Sequence, residues 1–112
     1  MMDITEDQVG RVWLVTARGR LDGETSSAFA NRIGELTTGV EPRLLVDFSG
    51  VDFVSSAGLR VVLMLVKKVK ALKGALALCE VQAPVRQVFD IAGFTDMIDV
   101  HPERSAALAA LA

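Results

Sequence analysis

Two adjacent serines, Ser55 and Ser56, are the residues whose type and spacing most suggest chemistry. They stand in the stretch VDFVSSAGLR, between a short apolar run and a longer amphipathic one. A serine hydroxyl can act as a nucleophile, accept a phosphate, or cap a helix by accepting a backbone N–H. Ala57 and Gly58 follow, and their small size leaves room for another molecule to approach the backbone. The two hydroxyls therefore have three candidate roles.

The rest of the chain supplies little with which a serine could catalyse a reaction. His101 is the only histidine, so a catalytic pair would require that one imidazole to meet a serine in space. The sequence has neither the His and Cys spacing of a metal site nor the common glycine-rich phosphate-binding loops. Asp22, Asp47 and Asp52 are the acids expected near the serines, and Asp52 is expected to shape a turn with Gly50. We therefore expect a protein that is not an enzyme and that uses no metal or cofactor.

Composition excludes several other functions. The 112 residues carry a net charge of −2 and are about half hydrophobic, which predicts one folded domain spanning residues 1–112. The lysines all lie within 67–73, a pattern that predicts a solvated helix end and no nucleic-acid site. The apolar run at 61–66 is too short to cross a membrane. A lone cysteine, Cys79, favours a reducing compartment, so we expect a cytoplasmic protein.

Apolar periodicity predicts strands followed by alternating helices and strands. The predicted strands cover 2–6, 11–20, 43–48, 75–81 and 97–100, and the predicted helices cover 25–37, 56–72, a short segment from Pro84, and 102–111. This order indicates an α/β sandwich with a partly parallel sheet. It places Ser55 and Ser56 at the start of a helix, beyond the carboxyl end of a strand, where α/β proteins bind their ligands. One serine suffices as the cap, so capping alone and a phosphorylation switch both remain open.

Three stretches carry a family resemblance. LLVDFSGVDFVSSAGLRVVLMLVKKVKALKGALALCEV, GRLDGETSSAF and VRQVFDIAGFTDMIDVHPERSAAL are similar to the corresponding parts of STAS domains, and specifically of bacterial anti-sigma factor antagonists. The similarity covers nearly the whole chain. It implies a STAS-type α/β fold, in which a mixed sheet of four or five strands packs against about four helices.

The resemblance also implies a phosphoacceptor. Aligning Gly58 on the glycine of the family's D-[ST]-[ST]-G-[LI] motif makes Ser56 the acceptor. Ser55 then replaces the family's acid and Ala57 replaces its next hydroxyl, so Ser55 could compete as acceptor. Asp22 matches the acid of a G-x-L-D turn that lies near the acceptor in the family, although it could equally cap the first helix.

The partners that the resemblance implies are an anti-sigma factor that is a GHKL-type serine kinase and a PP2C-type phosphatase. In the 56–72 helix the apolar spacing predicts a buried stripe of Leu59, Val62, Leu63, Val66 and Val69. It leaves Val61, Met64 and Leu65 off that stripe, as a docking patch beside Ser56 or a surface covered by neighbouring helices. The alternative function is a STAS subunit of a transporter or of a stress-signalling scaffold that binds a protein or a nucleotide. We expect a monomer.

Overall fold

The structure is a computed structural model that describes residues 2–112, which form five strands, four α-helices and one short 3₁₀ turn. In chain order these are β1 (Met2–Val9), β2 (Val12–Leu21), α1 (Ser26–Glu35), β3 (Arg43–Val54), α2 (Ser56–Ala71), β4 (Ala75–Cys79), α3 (Ala83–Ile91), the 3₁₀ turn (Phe94–Asp96), β5 (Asp99–His101) and α4 (Arg104–Leu111).

The strands form one mixed sheet in the order β1-β2-β3-β4-β5. The β1–β2 hairpin is antiparallel, and every other neighbouring pair is parallel. Parallel neighbours need a crossover connection, and α1, α2 and α3 supply the three crossovers. The expected mixed sheet of four or five strands, packed against about four helices, is therefore confirmed.

The two faces of the sheet bury different helices because side chains alternate along each strand. Leu44 and Val46 of β3 join the main core, into which Phe29 of α1, Val62 of α2 and Phe89 of α3 also pack. On the opposite face, a smaller cluster packs α4 against β2, β3 and β4; its buried members are Val12, Leu14, Leu45, Ala77, Cys79, Ala107 and Leu111. None of the helices in residues 2–112 combines the length and apolarity that a membrane crossing requires.

One predicted boundary is wrong at the place that matters most. The sequence favoured a loop after residue 48, because Ser49, Gly50 and Asp52 are turn-forming types. Instead β3 continues to Val54, and beyond Asp47 it pairs only with β2. Asp52 is an exposed strand residue and does not shape a turn with Gly50.

Smaller differences concern the ends of other elements. β1 continues to Val9, so the hairpin turn lies at residues 10–11, later than expected. Helix α1 ends at Glu35, before the predicted end at residue 37. β4 ends at Cys79 and β5 begins at Asp99, whereas strands to 81 and from 97 were predicted.

Candidate functional site

Ser55 caps α2. Its backbone is extended, with φ −85° and ψ 174°, and its Oγ accepts a hydrogen bond from the backbone N–H of Gly58 at 3.2 Å. Its own N–H donates to the carbonyl of Leu21 at 2.9 Å, and its carbonyl accepts from Leu59 at 2.9 Å. These three bonds give Ser55 a structural role and hold its hydroxyl toward the helix.

Ser56 is free of that role. It is the first residue of α2, its side chain is exposed, and within residues 2–112 its hydroxyl makes no hydrogen bond. The unpaired N–H groups and the dipole of a helix N-terminus favour negative charge at this position. The hydroxyl is thus open to another protein, and an added phosphate would be tolerated by the helix.

Gly58 lets α2 begin directly on the end of β2. A Cβ at this position would stand 2.6 Å from the carbonyl oxygen of Leu21 and 3.1 Å from Cγ1 of Val54. Such distances exclude any side chain unless the helix moves away from the strands. The glycine therefore fixes the height of the two serines above the carboxyl edge of the sheet.

Asp22 organises the turn that leaves this same strand end. Its Oδ1 accepts hydrogen bonds from the backbone N–H groups of Glu24 at 3.0 Å and Thr25 at 3.2 Å. Desolvation acts to raise the pKa of Asp22, but these hydrogen bonds and the charge of Arg20 outweigh it and lower the pKa below its ordinary value. Asp22 is therefore an anion that shapes the turn before α1, while Thr25 occupies the N-cap position itself.

Phe53 and Arg20 form a feature that the sequence did not indicate. The guanidinium carbon of Arg20 lies 4.1 Å from the centre of the Phe53 ring, a cation–π contact, and Phe53 remains 39% exposed. Strict alternation would place Phe53 on the same face as the buried Val51, so reading 49–54 as a strand would not have found it. The register shift between the pairs Gly19–Val51 and Arg20–Phe53 leaves Phe53 exposed beside Arg20.

The burial predicted along α2 is only partly right. Met64 is 52% exposed and Val61 is half-buried, but Leu65 is buried in the core. Conversely, Leu59 and Leu63, which were assigned to the buried stripe, are only half-buried. Met64 opens onto a groove between α1 and α2, lined by Asn31, Glu35 and Lys68 among others. The exposed apolar side chains at the end of β3 and along α2 are therefore those of Phe53 and Met64, with Ala57 and Val61 contributing less.

With this geometry in hand, comparison with known proteins gives the family. The STAS domain family model matches residues 3–107. The chain belongs to the STAS domain family. BtrV of Bordetella bronchiseptica, assigned as an anti-sigma factor antagonist, is 33% identical over 109 residues, which are 97% of this chain and 94% of BtrV.

Solved structures share the fold of this STAS domain. An anti-sigma factor antagonist from Mycobacterium paratuberculosis superposes with a TM-score of 0.89 at 23% identity, covering 99% of this chain and 94% of the other. The Bacillus cell fate determinant SpoIIAA in its phosphorylated form superposes with a TM-score of 0.71 at 19% identity, covering 96% and 99%.

Three other side chains that the sequence singled out, those of Asp47, Cys79 and His101, belong to other parts of this STAS domain. Asp47 was expected near the serines, but it is buried on the α4 face, where its Oδ2 accepts hydrogen bonds from the guanidinium of Arg104 at 2.6 and 3.1 Å. Burial raises the pKa of the Cys79 thiol to about 12, so it carries no thiolate at neutral pH. His101 lies on β5 and pairs with Cys79 of β4. Strand β4 therefore separates His101 from β3.

Proposed function

We propose that this STAS domain is an anti-sigma factor antagonist that works in a phosphorylation-controlled partner switch. In its unphosphorylated form it binds an anti-sigma factor that is a GHKL-type serine kinase. That kinase phosphorylates Ser56 and thereby releases the antagonist, and a PP2C-type phosphatase restores it. The similarity to BtrV over nearly the full length of both chains supports the general role, and the phosphorylated SpoIIAA structure provides a phosphorylated example of the fold.

The division of labour between the two serines carries the proposal. Ser55 accepts the hydrogen bond of the cap, while Ser56 is exposed and unbonded within residues 2–112. In the transfer, Oγ of Ser56 attacks the γ-phosphorus of ATP, the bond to the bridging oxygen breaks, and ADP leaves. The hydroxyl proton passes to a base of the kinase, since no side chain of this chain in residues 2–112 is hydrogen-bonded to Ser56. The antagonist is a substrate and supplies no catalytic group.

The phosphate would act at the interface and leave the fold intact. It adds a charge of about −1.5 to −2 at pH 7, at a helix end that favours anions. Burying that charge against a partner without a matching cation costs several kcal/mol. A penalty of even about 3 kcal/mol weakens binding roughly a hundredfold, which is enough to exchange partners.

The docking surface that we propose surrounds Ser56. It consists of Asp22, Ala57, Val61 and Met64, together with the Phe53 ring. Exposed aromatic and methionine side chains are typical anchors of protein interfaces. The anti-sigma factor is the occupant of this surface in the unphosphorylated form, and the proposal places the protein in the cytoplasm.

Mass spectrometry after incubation with the cognate kinase and Mg-ATP tests the acceptor. We expect one phosphate, on Ser56, in the wild type and in Ser55→Ala, and none in Ser56→Ala. Phosphate on Ser55, or undiminished labelling of Ser56→Ala, would contradict the assignment.

Binding measurements test the switch itself. Ser56→Asp should fold, because an acid is favourable in a first helical turn, and should bind the kinase more weakly than Ser56→Ala. The weakening will be smaller than for true phosphorylation, since Asp carries less charge and fewer acceptor oxygens. Equal affinity of the phosphorylated and unphosphorylated wild type for the kinase would overturn the switch.

A further inference from the structure

Arg60 is a cation without a partner on the same face of α2 as Ser56. It lies four residues after the serine, and both side chains are exposed. Within residues 2–112 the ion pairs are Arg20–Asp22, Arg32–Glu6, Arg86–Asp90 and Arg104–Asp47, none of which involves Arg60.

The composition of α2 explains why Arg60 is unpaired. The helix contains no aspartate or glutamate, so no acid lies three or four residues from Arg60 along it. The acids on the neighbouring strand ends do not pair with Arg60 either. Oδ2 of Asp22 lies 3.8 Å from Nε of Arg20, and Asp52 projects from β3 into solvent. A new negative charge at Ser56 would therefore meet an uncommitted guanidinium.

Helix geometry brings the two side chains together. Residues four apart are neighbours on a helix surface, with Cβ atoms about 5–6 Å apart. Helical side chains lean toward the N-terminus, so the side chain of Arg60 is directed back over the turn that begins with Ser56. The order is also the favourable one, with the anion nearer the N-terminus and the cation after it.

From these observations we infer that Arg60 binds the phosphate on Ser56 within the same helix, so that phosphorylation forms an ion pair between residues 56 and 60. Guanidinium groups bind phosphate oxygens in a bidentate manner, which fixes the phosphate on the helix surface. Once paired with the phosphate, Arg60 is no longer available to pair with a group of the partner protein. The local charge changes from +1 to about −0.5 to −1, so the surface that Arg60 presents to an acidic or carbonyl-rich partner group reverses its sign.

This inference rests on the proposed function for its biological meaning, but its test does not require the kinase. The full chain is produced with phosphoserine installed genetically at position 56, and the phosphate is titrated by ³¹P NMR. A free phosphoserine has its second pKa near 6, and the helix N-terminus lowers it in every variant. We expect the pKa to be higher in Arg60→Gln than in the wild type by about 0.3 of a pH unit or more. Arg60→Lys should restore part of the difference.

The matched control is Lys67→Gln. Lys67 is exposed on the same line along α2 and its substitution removes the same charge, but it lies about 16 Å from Ser56 along the helix axis. Its phosphate pKa should equal that of the wild type. A rise smaller than about 0.2 of a pH unit in Arg60→Gln, or an equal rise in Lys67→Gln, would overturn the ion pair. Such a result leaves Ser56 as acceptor untouched, whereas failure of the kinase to label Ser56 overturns the proposed function and leaves the ion pair standing.

Discussion

Two serines side by side perform separate tasks because one backbone bend separates them. Ser55 is extended and its hydroxyl turns inward to the N–H of Gly58, whereas Ser56 has already entered the helix and its hydroxyl faces outward. Of two chemically identical residues, Ser55 thus has a structural role, and the hydroxyl of Ser56 remains accessible to another protein. Substitutions at the two positions should therefore differ in their effect on stability.

Ser55→Ala should lower the free energy of unfolding by about 1 kcal/mol, because the N–H of Gly58 loses its acceptor. Ser56→Ala should change it by less than about 0.5 kcal/mol, since no bond is lost and alanine is a better helix former. Urea denaturation of the two unphosphorylated variants measures both values. Equal losses would mean that the two hydroxyls share the cap.

Gly58→Ala tests the close approach of α2 to β2. Its Cβ would lie 2.6 Å from the carbonyl oxygen of Leu21, which is backbone and cannot rotate away. We expect a loss of about 1–3 kcal/mol in the free energy of unfolding. Gly34→Ala in α1 is the matched control: the nearest atom to its Cβ would be the flexible Nζ of Lys68, at 3.7 Å. This variant should be neutral or more stable by up to about 1 kcal/mol. Equal losses in the two variants would contradict the steric explanation.

At the scale of the element, α4 is the shortest of the four α-helices in residues 2–112, with 8 residues. It buries Ala107 and Leu111 against the sheet, and an arginine interaction stands at each end. Arg104 donates to Asp47 at the start of the helix, and Nη1 of Arg43 donates to the carbonyl of Leu111 at 2.7 Å. The Asp47 carboxylate also accepts from the N–H of Ser49 at 2.8 Å. These contacts compensate the small apolar area under a short helix.

The pH dependence of stability should report on Asp47. Burial acts to raise the pKa of this carboxyl, but the hydrogen bonds from Ser49 and Arg104 outweigh burial and lower the pKa. A lowered pKa in the folded state contributes stability that is fully present above the unfolded value of about 4 and is lost as the pH falls through the folded value. Asp47→Asn should lower the free energy of unfolding by about 2 kcal/mol at pH 7. This is less than the loss expected on breaking a fully buried pair, because Arg104 is half-exposed.

The difference in the free energy of unfolding between the wild type and Asp47→Asn should become smaller as the pH falls below about 4. Urea denaturation between pH 7 and pH 2 measures it, and amide exchange should show α4 opening first in the variant. Asp90→Asn, which removes the exposed Arg86–Asp90 pair, is the control and should cost less than about 0.5 kcal/mol. A difference that stays constant down to pH 2 would show that Asp47 does not act through its charge.

Sequence patterns predicted the elements better than their ends and faces. Alternation and helical spacing suffice for β2, α2 and the succession of elements along the chain, because these depend on local periodicity. The extension of β3 to Val54 was missed because it depends on pairing with β2. Gly50 serves that pairing and not a turn, since a Cβ at this position would lie 2.6 Å from Cγ of Arg18 on β2. The burial of Leu65 and the partial exposure of Leu63 depend on how α2 packs against α1 and the sheet, which no local pattern contains. Ser55 as cap followed from local chemistry, whereas Phe53 over Arg20 required the strand register.

At the scale of the whole molecule, the sheet has two open edges. β5 offers only three residues, but β1 offers eight, and its outward edge is unpaired within residues 2–112. Long edge strands invite pairing with a second copy of the chain. β1 carries Asp3, Glu6 and Asp7 along this edge, so antiparallel pairing of two copies would bring like charges together.

We therefore expect the protein to be a monomer, and sedimentation velocity at micromolar concentrations measures this directly. Changing Asp3 and Asp7 together to threonine removes the repulsion, raises strand propensity and keeps the Arg32–Glu6 ion pair, so this variant should dimerise. Changing Asp90 and Asp96 to threonine is the control, because it alters the net charge equally, from −2 to 0, but away from the edge. Association of both variants alike would assign the effect to net charge alone, and a wild-type dimer would show that the acids of β1 do not protect the edge.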